Sequence, residues 1–300
     1  MKIAFIGFGE AARAFVSTLR ETGPHQFSAY DRLQGSGTPA EERLRRVASE
    51  LGVALAADAH AAVAGTDWIF SAVTAADSLD AGNSVAGALK SPQVFIDINS
   101  VSAGRKLETA AVVTRGGAAY VDMAVMAPVH PRGHRTPVLL AGPDCARLEP
   151  SFAGNGFAFE IVGGEIGAAT SNKMIRSLFV KGLEAITVQA LLAAREAGCF
   201  DRIYASLSTS FAALGWPAFA EYQLERVATH GVRRAAEMRE SARTMEELGF
   251  AGGNELASAI ASVQDEIGRL GLKIAGGDLA AAFSQVLDAR KEISAAQAAE

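Results

Sequence analysis

Cysteine is scarce in this chain. Two occur in 300 residues, Cys145 and Cys199, far apart and without metal-like spacing. That excludes a disulfide-stapled secreted fold and a cysteine-rich zinc module, and it suits reduced thiols in a cytoplasm. A basic excess is lacking too. Lysine and arginine number 28 against 33 aspartates and glutamates, a net charge of −5. A nucleic-acid partner, which needs a basic face, is not expected. Long apolar runs are missing at the N-terminus, where about five apolar residues precede Gly7, too few for a signal segment or a membrane span. With 49% hydrophobic and 20% charged residues, a disordered chain is excluded as well. The expectation is a soluble cytoplasmic protein of about two domains.

What is present begins at the first residues. Lys2–Ile6 is short, apolar and rich in β-formers, so it reads as a buried strand. It runs into Gly7-Phe8-Gly9-Glu10-Ala11-Ala12, followed by helical spacing from Arg13 to Leu19. This is G-x-G-x-x-A between a strand and a helix. Gly7 allows the tight turn, Gly9 lets a pyrophosphate approach the backbone, and small Ala12 lets the helix pack closely. The helix N-terminus offers unpaired N–H groups to phosphates. A second strand, Gln26–Tyr30, ends at Asp31, placed to accept hydrogen bonds from the adenosine ribose hydroxyls. That favours NAD over NADP. Arg32 follows and suits a 2′-phosphate, so both cofactors stay open.

The alternation continues through a helix at Pro39–Leu51 and strands at Val53–Ala56, Trp68–Ala72 and Pro92–Ile98. A helix at Ala103–Arg115 and a strand at Ala118–Val121, ending at Asp122, follow. Strands alternating with helices imply a parallel, doubly wound α/β sheet of the Rossmann type. Ligands of such sheets sit beyond the carboxyl ends of the strands, which selects Thr74, Asn99, Ser100, Ser102 and Asp122. Ser102 suits a helix cap; Asn99 and Ser100 suit either capping or contact with cofactor or substrate. The loop Ala127–Pro137 holds three prolines with His130, Arg132, His134 and Arg135. It reads either as a grip for an anionic substrate group or as a stiffened solvated turn. Val138–Ala141 and Phe159–Val162 are closing strands, with a segment Pro150–Asn155 between them.

After Gly164 the strand signal vanishes. No proline interrupts Glu165–Trp216, and the run to Ala197 is dominated by helix formers, so one long helix is expected to join the two halves. It is apolar nearly all round, as a buried helix is. Yet Thr170, Lys173, Ser177, Lys181 and Glu184 share one face. Such a stripe is costly unless it lines a cleft or is paired. Further helices are expected at Asp201–Leu214, Phe219–Gly249, Asn254–Leu270 and Asp278–Ile293, with Gly271–Gly277 as a break and Ser294–Glu300 frayed. The charged run Arg226–Glu240 reads as a solvated helix with ion pairs such as Arg233–Glu237, or as a source of substrate-anion binders in His230, Arg233 and Arg234. The domains are therefore 1–163, dinucleotide-binding, and 164–300, all-helical and serving substrate binding and dimerisation.

These stretches together resemble the β-hydroxyacid dehydrogenase superfamily, which includes 3-hydroxyisobutyrate and 6-phosphogluconate dehydrogenases. The likeness covers most of the chain. Gly7, Gly9 and Ala12 match the cofactor motif. Asp122-Met-Ala-Val125-Met126-Ala127-Pro128 is similar to the family's substrate stretch, with Met126 and Ala127 where serine and glycine are usual. Gly164-Glu-Ile-Gly167-Ala-Ala169-Thr-Ser-Asn-Lys173 is similar to its catalytic stretch, with Arg176 and Ser177 where asparagines are usual. The resemblance implies a side branch with a helical second domain of unknown function. It also implies an NAD(P)-dependent oxidoreductase acting on a small hydroxy acid, with Lys173 as general acid–base. Cofactor contacts would come from Gly7, Phe8, Gly9, Glu10, Ala11, Ala12, Asp31, Arg32, Thr74 and Asn99. Substrate contacts would come from Ser100, Asp122, Met126, Ser177 and Lys181. No metal is implied, and the partners expected are an anionic small molecule and a second copy of the chain. Imine reduction and non-catalytic dinucleotide binding are the alternatives.

Overall fold

Strand β1, Lys2–Ile6, is buried at every position after Lys2, as a strand covered on both faces must be. A computed structural model describes residues 1–274 and 277–298. By internal packing the chain divides into Met1–Met174 and Ile175–Glu300, so the division falls inside the long helix and not at Gly163.

In the first unit β1 leads to α1 (Glu10–Leu19), β2 (Gln26–Tyr30), α2 (Pro39–Leu51), β3 (Val53–Leu55), α3 (Ala59–Val63) and β4 (Trp68–Ser71). There follow α4 (Ser78–Asn83), β5 (Val94–Asp97), α5 (Ala103–Val113), β6 (Ala119–Val125), β7 (Val138–Ala141), α6 (Cys145–Gly154) and β8 (Phe159–Gly163). The strands form one sheet in the order β3-β2-β1-β4-β5-β6-β7-β8. The order reverses at β1/β4, which places the ligand crevice of a doubly wound sheet there.

The sheet is not wholly parallel, contrary to expectation: β7 runs antiparallel to β6. Residues 126–137 hold no α-helix to carry the chain back across the sheet, so it simply returns. Strand β6 also extends to Val125, which leaves Asp122 inside a strand, paired with Ala141. The segment Pro150–Asn155 belongs to α6, with Pro150 inside the helix.

One face of the sheet carries an aromatic core. Phe5 and Phe70 stack at 5.2 Å, Trp68 lies 4.8 Å from Phe152, and Phe15 meets Phe157 edge-on at 6.1 Å. The loop 127–137 docks against this core. His134 is fully buried, its Nδ1 lies 2.7 Å from Thr18 Oγ1, and its ring meets Phe157 edge-on. Gly133 must lack a side chain, because a Cβ there would fall 2.1 Å from Thr18 Oγ1. His134 therefore anchors the loop to α1, while His130, Arg132 and Arg135 stay exposed.

The second unit holds most of α7 (Ala168–Glu196), then α8 (Phe200–Ser210), α9 (Ala218–Glu247), α10 (Ala251–Arg269) and α11 (Leu279–Ala298). Helix α11 stays helical through Ala298, past the point where fraying was expected; Ala299 and Glu300 lie outside the described residues, as do Ala275 and Gly276 of the Gly271–Gly277 break. Helices α9 and α10 cross closely at two glycines: a Cβ on Gly231 would sit 2.1 Å from the Gln264 carbonyl oxygen. Helix α7 alone is long and apolar enough, among the described residues, to cross a membrane, but half of that window is buried within the protein.

Burial holds the His134 imidazole's pKa down, from 6.5 to about 4. In the unfolded chain the ring takes up a proton near 6.5, so stability falls as the pH drops from about 6.5 towards 4 and is level above that window. Urea melts across this range should show that slope, and His134→Asn should flatten it while lowering stability at neutral pH by about 1–2 kcal/mol through the weakened loop anchor.

Candidate active site

The turn between β1 and α1 forms one wall of the crevice. Gly7 has φ +84, and a Cβ on it would lie 2.6 Å from the Ala72 carbonyl oxygen, so the turn presses directly on the end of β4. Gly9 is the N-cap of α1 and supplies no side-chain cap. Open space of at least 4 Å lies where its Cβ would project. An uncapped helix N-terminus beside a side-chain-free gap fits a dinucleotide pyrophosphate. Glu10 is exposed in the first turn and Ala11 is half-buried. Ala12 is fully buried against the sheet. The Phe8 side chain, by contrast, is in the core, and its N–H donates to Asp31 Oδ2 at 2.8 Å. Asp31 Oδ1 accepts the Leu33 N–H at 3.0 Å. Phe8 thus serves the turn through its backbone and positions Asp31.

Beyond β2, Arg32 reaches Asp77 Oδ1 at 2.5 Å, and Thr74 Oγ1 donates to Asp77 Oδ2 at 2.5 Å. Asp77 carried no signal in the sequence reading.

At the end of β5 two expected residues part company. The Asn99 amide is committed inside the protein: Oδ1 accepts the Val73 N–H at 2.8 Å, and Nδ2 donates to Ser71 and Ser78 at 2.8 and 3.2 Å. It pins the ends of β4 and β5 together, so its side chain is not available to a cofactor. Ser100 instead accepts a hydrogen bond from Lys173 Nζ at 2.6 Å. Both groups are partly exposed. Ser102 caps α5, accepting the Arg105 N–H.

Asp122 is not at the surface of the crevice. It is fully buried with Asp97 and Lys106. Lys106 Nζ lies 3.0 Å from Asp97 Oδ1 and 3.3 Å from Asp122 Oδ1, and donates to the Asp97 carbonyl at 2.6 Å. Tyr120 donates to Asp97 Oδ2 at 2.8 Å. Asp122 Oδ2 accepts the N–H groups of Gly167 and Thr170, at 3.2 and 3.0 Å, and so caps the start of α7 one turn before Lys173. Burial raises the Asp122 carboxyl pKa, against the pull of Lys106 and the Thr170 amide. The same burial, with Asp97 beside it, raises the Tyr120 hydroxyl well above its usual range. Lys106 was missed in the sequence although Lys106, Thr109, Ala110 and Val113 form the buried face of α5. A lysine on the inward face of an amphipathic helix was the available signal.

Met126 is half-buried, packed beside Ala124, Ala141 and Ala169, and its N–H pairs with the Pro137 carbonyl. In the second unit the polar stripe of α7 is paired. Lys181 Nζ contacts Glu237 at 2.8 Å and Ser177 Oγ at 3.1 Å. Arg234 forks onto both oxygens of Glu184, which also accepts from Gln264 at 2.9 Å. Burial lowers the Lys181 pKa, while Glu237 opposes the shift. Ser177 and Lys181 are therefore held in a buried network, not presented as open substrate contacts. Arg233 pairs with Glu237 as the spacing suggested, and burial, with Arg226 and Arg233 nearby, lowers the His230 pKa.

Residues 2–100 match the family model described as NADP oxidoreductase coenzyme F420-dependent, and residues 194–267 match a domain of unknown function, DUF1932. A conserved protein from Sinorhizobium meliloti has a structure similar over 96% of both chains, at 35% identity and TM-score 0.74. The 3-hydroxyisobutyrate dehydrogenase of Mycobacterium tuberculosis shares the fold at 16% identity and TM-score 0.68, over 95% of this chain and 98% of that one. An uncharacterised 28.5 kDa protein of Methanothermus fervidus is 27% identical over 203 residues, 68% of this chain and 74% of its own. With the Mycobacterium protein the likeness is one of fold, a Rossmann-type half followed by a helical half. The chain belongs to one family with the Sinorhizobium protein, to which it is similar over nearly its whole length.

Lys106→Met should expose the cost of two buried carboxylates without their cation, about 3–5 kcal/mol of stability. Chemical denaturation measures it, and a change below about 1 kcal/mol would show that the ion pairs contribute little net energy.

Proposed function

We propose that the protein is an NAD(P)-dependent oxidoreductase that exchanges a hydride with a small, anionic hydroxy acid, using Lys173 as general acid–base. The observation that carries this is the 2.6 Å hydrogen bond between Lys173 Nζ and Ser100 Oγ, at the carboxyl end of a strand next to the dinucleotide crevice. The bound nicotinamide supplies the redox chemistry. The chain supplies binding, orientation and a proton path. The β1–α1 turn holds the pyrophosphate, and Asp31 meets the adenosine ribose. Ser100 fixes the direction of Nζ, so that the substrate hydroxyl lies within hydrogen-bond reach of both groups. In oxidation Lys173 Nζ receives the hydroxyl proton; in reduction it returns one to the carbonyl oxygen. The Asp122 carboxylate holds the helix start from which Lys173 projects. The helical unit would provide the subunit contact of a homodimer in a soluble, cytoplasmic enzyme.

Imine reduction on the same fold is disfavoured by this lysine, and a dinucleotide-binding protein without turnover leaves Lys173–Ser100 without a task. Lys173→Met separates these readings. Turnover of the best hydroxy acid found in a screen, followed through reduced-nicotinamide absorbance, should fall by about 10²–10⁴ while NAD(P)H affinity is retained. Undiminished turnover would remove Lys173 from the mechanism. Ser100→Ala should lower kcat by about tenfold, the loss of one hydrogen bond to a charged group.

A further inference from the structure

Strand order fixes what the Arg32–Asp77 contact does. Arg32 follows β2 and Asp77 follows β4, and β1 lies between those two strands. Neighbouring strands are ~4.8 Å apart, so a bond from the end of β2 to the end of β4 has to pass across the mouth of β1. The β1–α1 turn lies at that mouth, with Gly9 and the open N-terminus of α1. The ion pair is 2.5 Å long, its arginine is 73% exposed and its aspartate 25% exposed. Asp77 is steadied from behind by Thr74 Oγ1 at 2.5 Å. On the β2 side Asp31 is fixed by the N–H groups of Phe8 and Leu33.

We infer that Asp77 is a cofactor-specificity residue: it engages Arg32 across the adenosine end of the crevice and thereby withholds the guanidinium from a 2′-phosphate. The inference rests on the dinucleotide reading of this crevice. The charged side chains that follow β2 and β4 here, Asp31, Arg32 and Asp77, carry a net charge of −1. A ribose with a free 2′-hydroxyl meets Asp31 as an acceptor and leaves the Arg32–Asp77 pair intact. A 2′-phosphate, carrying close to two negative charges, meets two carboxylates and an arginine that is already engaged. To recruit Arg32 it must displace Asp77, and the displaced carboxylate remains nearby as a like charge. Arginine beside the ribose, which by itself suits a 2′-phosphate, is thus offset by a residue forty-odd positions further along the chain. With Asp77 neutral, the same arginine is released to fork onto the phosphate.

The test is equilibrium binding to the full-length protein by calorimetry, with ADP and adenosine 2′,5′-bisphosphate as probes, supported by quenching with NADH and NADPH. The proteins are wild type, Asp77→Asn, Arg32→Ala and the double variant. These side chains are surface groups, so folding is checked by an unchanged melting temperature. Wild type should bind ADP at least as well as the 2′-phosphorylated probe. Asp77→Asn should tighten the 2′-phosphorylated probe by about ten- to a hundredfold, one charge-assisted hydrogen bond or more, and move ADP by less than about threefold. Arg32→Ala alone should change the 2′-phosphorylated probe little, whereas in the Asp77→Asn background it should erase the gain. Equal gains for ADP and the 2′-phosphorylated probe, or a gain that survives loss of Arg32, overturn the inference. If wild type binds neither ADP nor NADH, the dinucleotide reading fails and the inference falls with it. If ADP binds and the ratio does not move in Asp77→Asn, the inference fails alone.

Discussion

A single buried cation holds the first half of this molecule in register. Lys106 has no access to water, and it survives there because two carboxylates and a carbonyl receive it. Asp97 comes from the end of β5, Asp122 from the middle of β6 and Lys106 from α5, so one ammonium ties a strand end, its neighbour and the helix that connects them. Desolvating these charges is expensive, and only the mutual pairing makes their burial tolerable. The second oxygen of Asp122 then serves the amides that begin α7. A charge cluster inside the sheet thereby sets where the long helix starts, and Lys173 lies one turn further on.

The cluster also explains why the crevice can be chemically sparse. Asn99 and Asp97 turn inward and spend their hydrogen-bonding capacity on the protein, which leaves Ser100 and Lys173 as the polar pair at the strand end. The β1–α1 turn contributes backbone and open space in place of side chains. What such a turn offers a phosphate is the amides of a helix start, which any sequence with the right glycines provides.

Much of this was legible beforehand. The strand-glycine-helix opening, the alternation that follows and the helical second half all follow from local periodicity, because each is a property of a short stretch. The carboxyl-end rule selected Ser100 and the resemblance selected Lys173, while their contact emerged only in the folded chain. What escaped was long-range. Asp122 reads as a strand-end residue until β6 is seen to continue to Val125, and Lys106 reads as surface charge until α5 is rotated onto the sheet. Lys181 and Ser177 look like polar groups in search of a ligand; Glu237, 56 positions downstream of the lysine, is what meets it. The reversal of β7 depends on a connection lacking a helix, which composition alone does not reveal. The segment Pro150–Asn155 carried no assigned structure in the sequence, and it falls at the end of α6 with Pro150 inside the helix.

The alternation at the end of β5 has a consequence for how such a protein changes over generations. Asp97 and Asn99 are locked by several partners each, so drift at either is punished through stability. Ser100 is partly exposed, and its hydroxyl accepts from Lys173. Position 100 can therefore be substituted while its neighbours stand still, and this strand end is able to change the group it shows without first acquiring a reserve of stability.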